Sequence, residues 1–387
     1  MIWASSHSQD GVKCKKFFRG RGILFYKFVV GKEVIRMIQK NAVLTFGIIA
    51  VLVGCVEKFS NSNAADQSII CNEDPGITYI CGLTNAEDLL ALGDSGMILT
   101  SGMSSEGGNG HLYLVNTRDN SWEDLVGGTN FLQDFDNSLY PACSELFNVN
   151  NFSAHGLALK EIEQNFFDLY MTSHGAREAI EIFKLDLRSG SAILTWRGCV
   201  PLDESIMHNS VAILSDGGFV TTQFMVWEEG LAPAVSGETR GSVVEWHPGG
   251  APEIVLGTEL SAPNGIVVSN DERYMFVAAL GAREIVRFDL AQEPITKAAV
   301  SIESIPDNIR WGEPGKLLTA GGNIDFGGWS VVEIDASELT AVKVGGMDGE
   351  AAMQGISSAL QLARKYGWVH TVVIALDISK NSECENW

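Results

Sequence analysis

Five short apolar runs each begin with a polar side chain that could do chemistry. The positions are Glu87 in "NAEDLLAL", His155 in "SAHGLAL", Asn209 in "MHNSVAIL", Asn264 in "APNGIVVS", and Asp307 with Asn308 in "PDNIRW". Singly, an Asp or Asn at such a place would do no more than cap a strand or shape a turn. Recurring at equivalent depth in separate repeats, they have a second use. Glu87 and Asp307 carry carboxylates, and Asn209, Asn264 and Asn308 carry amide oxygens. These are hard ligands of the kind calcium takes, roughly six to eight oxygens at about 2.3–2.6 Å. Five protein oxygens leave one or two places for water or substrate. No CxxC pair occurs and no soft ligand joins the set, which disfavours zinc or copper. The expected cofactor is Ca2+.

Such a set needs a scaffold that aims distant residues at one point. From residue 75 onward a unit recurs: apolar strand, acidic or Gly turn, apolar strand, polar loop, third strand. "DLLALGDSGMILTSG" is followed by "GHLYLVNT", "SVAILSDGGFVTTQF" by "GSVVEWHPGG", and "GIVVSNDERYMFVAAL" by "EIVRFDL". The turns fall near Asp94, Glu163, Asp216, Asp271 and Pro314, about 55 residues apart. Short strands at regular spacing predict an all-β array, and the unit suits a propeller blade. Five units plus a divergent sixth, Ile356 to Ile378, predict a six-bladed β-propeller with a central calcium site. "AAMQGISSALQLARKYG" has helical propensity. We assign it to a strand pair because the ring must close. A pair of β-sandwiches is the other architecture, and repeat period and length favour the propeller.

Composition narrows the partners. The chain has 387 residues, 45% of them hydrophobic, enough for one large domain or two ordinary ones. Residues 1–54 carry a net charge of +7, and the remainder carries −28. A body this acidic repels nucleic acid and suits a soluble domain that binds cations. Behind Arg36 and Lys40 lies an apolar run, Ala42 to Val53, the length of a signal-peptide core and short for a bilayer span. It ends in Leu52-Val53-Gly54-Cys55, which resembles the lipobox of bacterial lipoproteins. That resemblance implies lipidation of Cys55 and a place in the bacterial cell envelope, facing the periplasm or the exterior. The membrane would be met only through this N-terminal lipid anchor. Met37 stands where a signal peptide would start, so residues 1–36 are expected to lie outside the translated frame. The expected organisation is a leader and signal peptide over 1–54, a polar tether over 55–70 and the propeller over 71–387.

An oxidising envelope favours disulfides. Cys143 is expected to pair with Cys199, and Cys384 with Cys71 or Cys81. Connectivity does not follow from spacing, and one thiol is left over.

The pattern "EDL … HGL … SH … HNS … PNG … DN" resembles the paraoxonase, gluconolactonase and senescence-marker-protein superfamily of six-bladed calcium propellers. The similarity covers roughly residues 81–345. "PNGIVVSNDERYMFVA" is widespread among these lactonases, and its combination with "AHGL" and "TSHG" points to the paraoxonase-like, arylesterase branch. The resemblance implies a catalytic calcium held by Glu87, Asn209, Asn264, Asp307 and Asn308. It implies a His pair, matched by His155 as base and His174 as its neighbour. It also implies a second, structural calcium using Asp88 and the carbonyl of Leu157. The other acid of that second site is replaced here by Ser210. The family's terminal disulfide supports the Cys384 pairing.

The expected function is calcium-dependent hydrolysis of lactones or esters. Calcium would polarise the carbonyl, and a neutral His155 would take a proton from water. No G-x-S-x-G elbow supports a serine nucleophile. His208 reads as channel lining. A non-catalytic envelope propeller, with calcium holding the blades together, is the alternative. Strictosidine-synthase-like propellers lack the calcium set. Substrate choice would fall to three long segments, residues 100–110, 118–152 and 225–240, whose aromatic content suggests an apolar mouth.

Overall fold

The computed structural model describes residues 13–17, 25–29, 80, 82–104, 108–324, 327–349, 356–362 and 370–374. The chain divides into two compact units, Met1–Ser68 and Ile69–Trp387. In the first, strands Lys13–Phe17 and Phe25–Val29 pair antiparallel. The expected signal peptide, Cys55, Cys71, Cys81 and Cys384 lie outside the described residues.

The second unit is an all-β propeller. Each complete blade contains four consecutive strands in an antiparallel meander. The inner strands are Ala86–Ala91, Phe152–Glu163, Ile206–Ile213, Pro263–Val268 and Ile309–Trp311. Asp and Gly make the tight first turns as the sequence suggests. In the third blade, Gly217 has φ 87° and Gly218 donates its N–H to Asp216 Oδ1 at 2.8 Å. The second blade has a fifth strand, Phe131–Gln133, paired parallel to Ile193–Pro201. A disulfide joins Cys143 to Cys199 as expected, with Cα atoms 5.2 Å apart. It staples the long 118–152 segment to the same blade.

The hydrophobic core lies between blades. Tyr170 of the second blade packs edge-on against Phe219 of the third, while Phe183 and Trp196 pack against Phe147 and Phe135 of the 118–152 segment. Val243, Ile266 and Phe288 join the third and fourth, and Phe276, Ile309 and Ile334 join the fourth and fifth. Each such side chain, fully buried, contributes about 1.5–3 kcal/mol. Leu318 and Trp329 of the fifth blade pack with Ile356 and Ala359, and Leu360 packs with Leu89 and Tyr113 of the first.

This last contact closes the ring, but not as six complete blades. Among the described residues five sheets have four or five strands. The sixth place is held by a two-stranded sheet, Ser358–Leu362 with His370–Ile374. These two strands come from the apolar runs "ISSALQL" and "WVHTVVIALDI". Closure rests on the first of these. Asn308 donates its N–H to Ser357 O at 2.8 Å, and Ser357 Oγ donates to Glu87 O.

Candidate metal and hydrolytic site

The polar positions are set by a repeated irregularity. The inner strand of four blades slips register against its neighbour where the chemistry-bearing residues lie. The slips fall between Ala86 and Leu89, Ala154 and Leu157, His208 and Val211, and Pro263 and Ile266. Each interval leaves two residues out of the ladder: Glu87-Asp88, His155-Gly156, Asn209-Ser210 and Asn264-Gly265. Bulges of this kind re-aim side chains, and here they turn polar groups inward from strands that otherwise read as apolar. Asp307 and Asn308 do the same from just ahead of the fifth inner strand.

Adjacent bulges touch. A Cβ on Gly156 would run into the backbone of Asn209 and Ser210, and one on Gly265 would run into Asn308 and Ile309. This close approach is why Gly follows His155 and Asn264. Thr222 Oγ1 accepts the Ser210 N–H at 3.1 Å and donates to Asn264 O at 2.7 Å, tying the third blade to the fourth.

The five expected ligands come together. Asn308 Nδ2 donates to Glu87 Oε1 at 2.9 Å. His155 Nε2 lies 3.8 Å from that same oxygen and 3.2 Å from Asn209 Nδ2. Asn264 hydrogen-bonds Asp307, whose charge is felt at Glu87. Each residue of the set keeps one buried oxygen with no hydrogen-bond partner: Glu87 Oε2, Asn209 Oδ1, Asn264 Oδ1, Asp307 Oδ1 and Asn308 Oδ1. Buried oxygens are rarely left so. Five together fit a hard cation. Among the described residues no group of three or more His, Cys, Asp or Glu side chains is placed to hold a metal ion, so the amides are essential to any such site.

Without a cation the carboxylates are strained electrostatically. Burial, followed by the charges of Asp307 and Asp88, pushes Glu87 well above the usual carboxylate range. Burial likewise lifts Asp307 to about 7, against a hydrogen bond from Asn264. Two acids that resist ionisation, Glu87 buried and Asp307 half-buried, are what a divalent ion would reverse.

His155 and His174 meet as a pair, with Nδ1 of the first 2.8 Å from Nε2 of the second. His174 Nδ1 in turn lies 2.7 Å from Glu178 Oε2. The proton positions follow from the partners. Asn209 Nδ2 can only donate, so His155 Nε2 accepts and its proton sits on Nδ1, facing His174. His174 then carries its proton on Nδ1, facing the Glu178 carboxylate. Burial, and then the nearby His174, lowers His155 well below the ordinary imidazole value. Burial works to raise Glu178, but hydrogen bonds from His174 and His208 outweigh it and hold the carboxylate below its usual range.

Sequence reading missed Glu178, and it alters the reading of His208. The backbone N–H of His208 donates to Glu178 Oε1 at 2.7 Å, and its ring Nδ1 lies 3.3 Å from the same atom. His208 is therefore a neighbour of the relay that also anchors the strand carrying Asn209. The 225–240 segment reaches the site, where the partly exposed Trp227 ring meets His174 edge-on at 5.4 Å, and Asn148 and Asn151 of the 118–152 segment line a cavity with His174.

The expected second cation locus is filled differently. Asp88 and Leu157 are adjacent, with the Leu157 N–H donating to Asp88 Oδ2 at 2.7 Å. Arg310 forms a buried ion pair with Asp88 and donates to Leu157 O at 3.2 Å. Residues saturated this way do not fit a calcium ion.

No protein-family model and no curated protein matches the sequence. Solved structures share its general form at low similarity. A luciferin-regenerating enzyme gives a TM-score of 0.47 at 14% identity, over 72% of this chain and 81% of its own. A candidate gluconolactonase gives 0.47 at 15%, over 76% and 87%. A nidogen/laminin complex gives 0.44 at 10%, over 70% and 83%.

Proposed function

We propose that the chain is a calcium-dependent hydrolase of lactones or esters. The observation that carries this reading is the convergence of five unpartnered buried oxygens beside His155 Nε2. Glu87, Asn209, Asn264, Asp307 and Asn308 would hold the ion. When bound, calcium supplies a Lewis acid for the substrate carbonyl oxygen and the negative charge that grows on it. The remaining work belongs to the chain. His155, neutral and with Nε2 facing the ligand set, takes a proton from water. Its Nδ1 proton is shared with His174, and the Glu178 carboxylate stabilises the positive charge spread over the pair. The same proton returns to the departing alkoxide.

The proposal includes the envelope setting: Cys55 lipidated, residues 55–70 a tether and 71–387 the working domain. The Cys143–Cys199 disulfide agrees with an oxidising compartment. Labelling with a radioactive fatty acid tests the anchor. No label in the wild type, or label that persists in Cys55→Ser, rejects it.

Burial favours a second reading. Glu87, Asn209, Asn264 and Asn308 are all buried, as a cation that only clamps blades would require. Hydrolysis of a phenyl ester and a simple lactone, with and without chelator, separates the two. Turnover that chelation abolishes and calcium restores supports the hydrolase. Folded, calcium-loaded protein that is inert across both panels leaves the clamp.

A further inference from the structure

We infer that Arg310 is a built-in cation, occupying the second metal locus of this propeller with a guanidinium. Two sets of inward-facing oxygens lie side by side, and they differ in one respect. The Glu87 set keeps five unpartnered oxygens. Asp88 keeps none, and only the hydroxyl of Ser210 is left over there.

Asp88 is fully buried and all its acceptor capacity is used. Oδ1 takes the N–H of Leu89 at 2.7 Å and the hydroxyl of Ser358 at 3.3 Å. Oδ2 takes the N–H of Leu157 at 2.7 Å and pairs with Arg310 Nη2. The guanidinium spends its other donors on carbonyls. Nε donates to Leu89 O at 3.0 Å, Nη1 to Ile309 O at 2.9 Å and Nη2 to Leu157 O at 3.2 Å. A structural calcium would need the Leu157 carbonyl and the Asp88 carboxylate, and both are already turned to Arg310.

The charge count agrees. One acid faces one guanidinium, and Ser210 stands where a second acid would be needed for a divalent ion. Its buried hydroxyl oxygen accepts no compensating bond. Arg310 therefore joins backbone from the first, second and fifth blades, and through Asp88 reaches Ser358 of the closing strand. Unlike a metal, it is not removed by a chelator.

The assignment is independent of the hydrolase reading. Two measurements on the full chain test it. The first is elemental analysis of protein refilled with excess calcium, where no more than one tightly held equivalent is expected. The second is a double-mutant cycle on thermal midpoint. Arg310→Met strands a buried carboxylate and is expected to lower Tm by about 5–15 °C. Asp88→Asn combined with Arg310→Met is expected to recover a large part of that loss. Two equivalents in the wild type, one of them lost in Asp88→Asn, overturn the assignment, as does strict additivity in the cycle. If Arg310→Met does not fold, the folding of the double variant is itself the supporting result, and failure of both leaves the metal count to decide. Zero equivalents with strong coupling would remove the calcium reading and still support Arg310.

Discussion

The Glu178 carboxylate and His174 Nδ1 lie 2.7 Å apart, both buried, and His174 hands that contact on to His155. His155, His174 and Glu178 make a three-residue relay from the candidate ligand set to an acid that does not touch it.

Replacing that acid separates turnover from binding. Glu178→Gln keeps shape and removes the carboxylate that accepts from His174 Nδ1. Turnover is expected to drop about 10–100-fold, with little change in KM. Because Glu178 Oε1 also takes the N–H of His208, calcium affinity should be measured alongside. An unchanged kcat would remove Glu178 from the mechanism.

His155 carries a more direct test. His155→Gln is expected to leave calcium bound and to lower turnover about 10²–10⁴-fold. The pH profile adds a second reading. Burial and then His174 hold His155 well below the ordinary imidazole value, so it stays unprotonated as pH falls through the usual histidine range near about 6.5. The acid limb of kcat/KM should therefore fall below that pH. A limb centred at the ordinary value would mean that another group acts as base.

Removing the metal should invert the usual effect of acid on stability. In stripped protein Glu87 and Asp307 are raised, Asp307 to about 7. Unfolded, both titrate near about 4. Between those limits the folded chain holds protons that the unfolded chain has released, so stability falls as pH rises through the window. Calcium favours the ionised forms and removes that slope. Urea midpoints at pH 5.5 and 8 check it, in metal-free buffer and with calcium. Stripped protein equally stable at both pH values would show that the acids are not coupled as described.

Asn264→Ala deletes one orphaned oxygen and one hydrogen bond to Asp307. Calcium affinity and activity are expected to fall together, by roughly 10-fold or more. Loss of one without the other would separate the cation from the chemistry.

Gly265→Ala tests the bulge contact without touching a ligand atom. The new methyl would meet the Asn308 and Ile309 backbone, and crowding of this kind costs about 1–3 kcal/mol. A lower Tm together with weaker calcium binding is the expected result. Wild-type values in both would mean that the two bulges need no close contact.

Much of the site was legible in the residues. Glu87, Asn209, Asn264, Asp307 and Asn308 could be picked out because each stands at the same depth in its own repeat. The repeat period converts similar positions into neighbours. The Asp and Gly turns were legible for local reasons, whereas the strand pair after Ile356 was expected only because the ring must close, and the Cys143–Cys199 pairing did not follow from spacing.

By itself, then, the sequence determined an all-β array of repeats with a shared row of oxygen-bearing residues at its strand starts. That much follows from apolar alternation and turn chemistry, which act over a few residues. Only the tertiary structure decided that five blades are complete, that Glu178 ends the histidine relay and that Arg310 faces Asp88. Arg310 and Asp88 are 222 residues apart, and neither sits in a pattern that names the other. Closing the ring brings them together, and burial then forces each charge to find a partner.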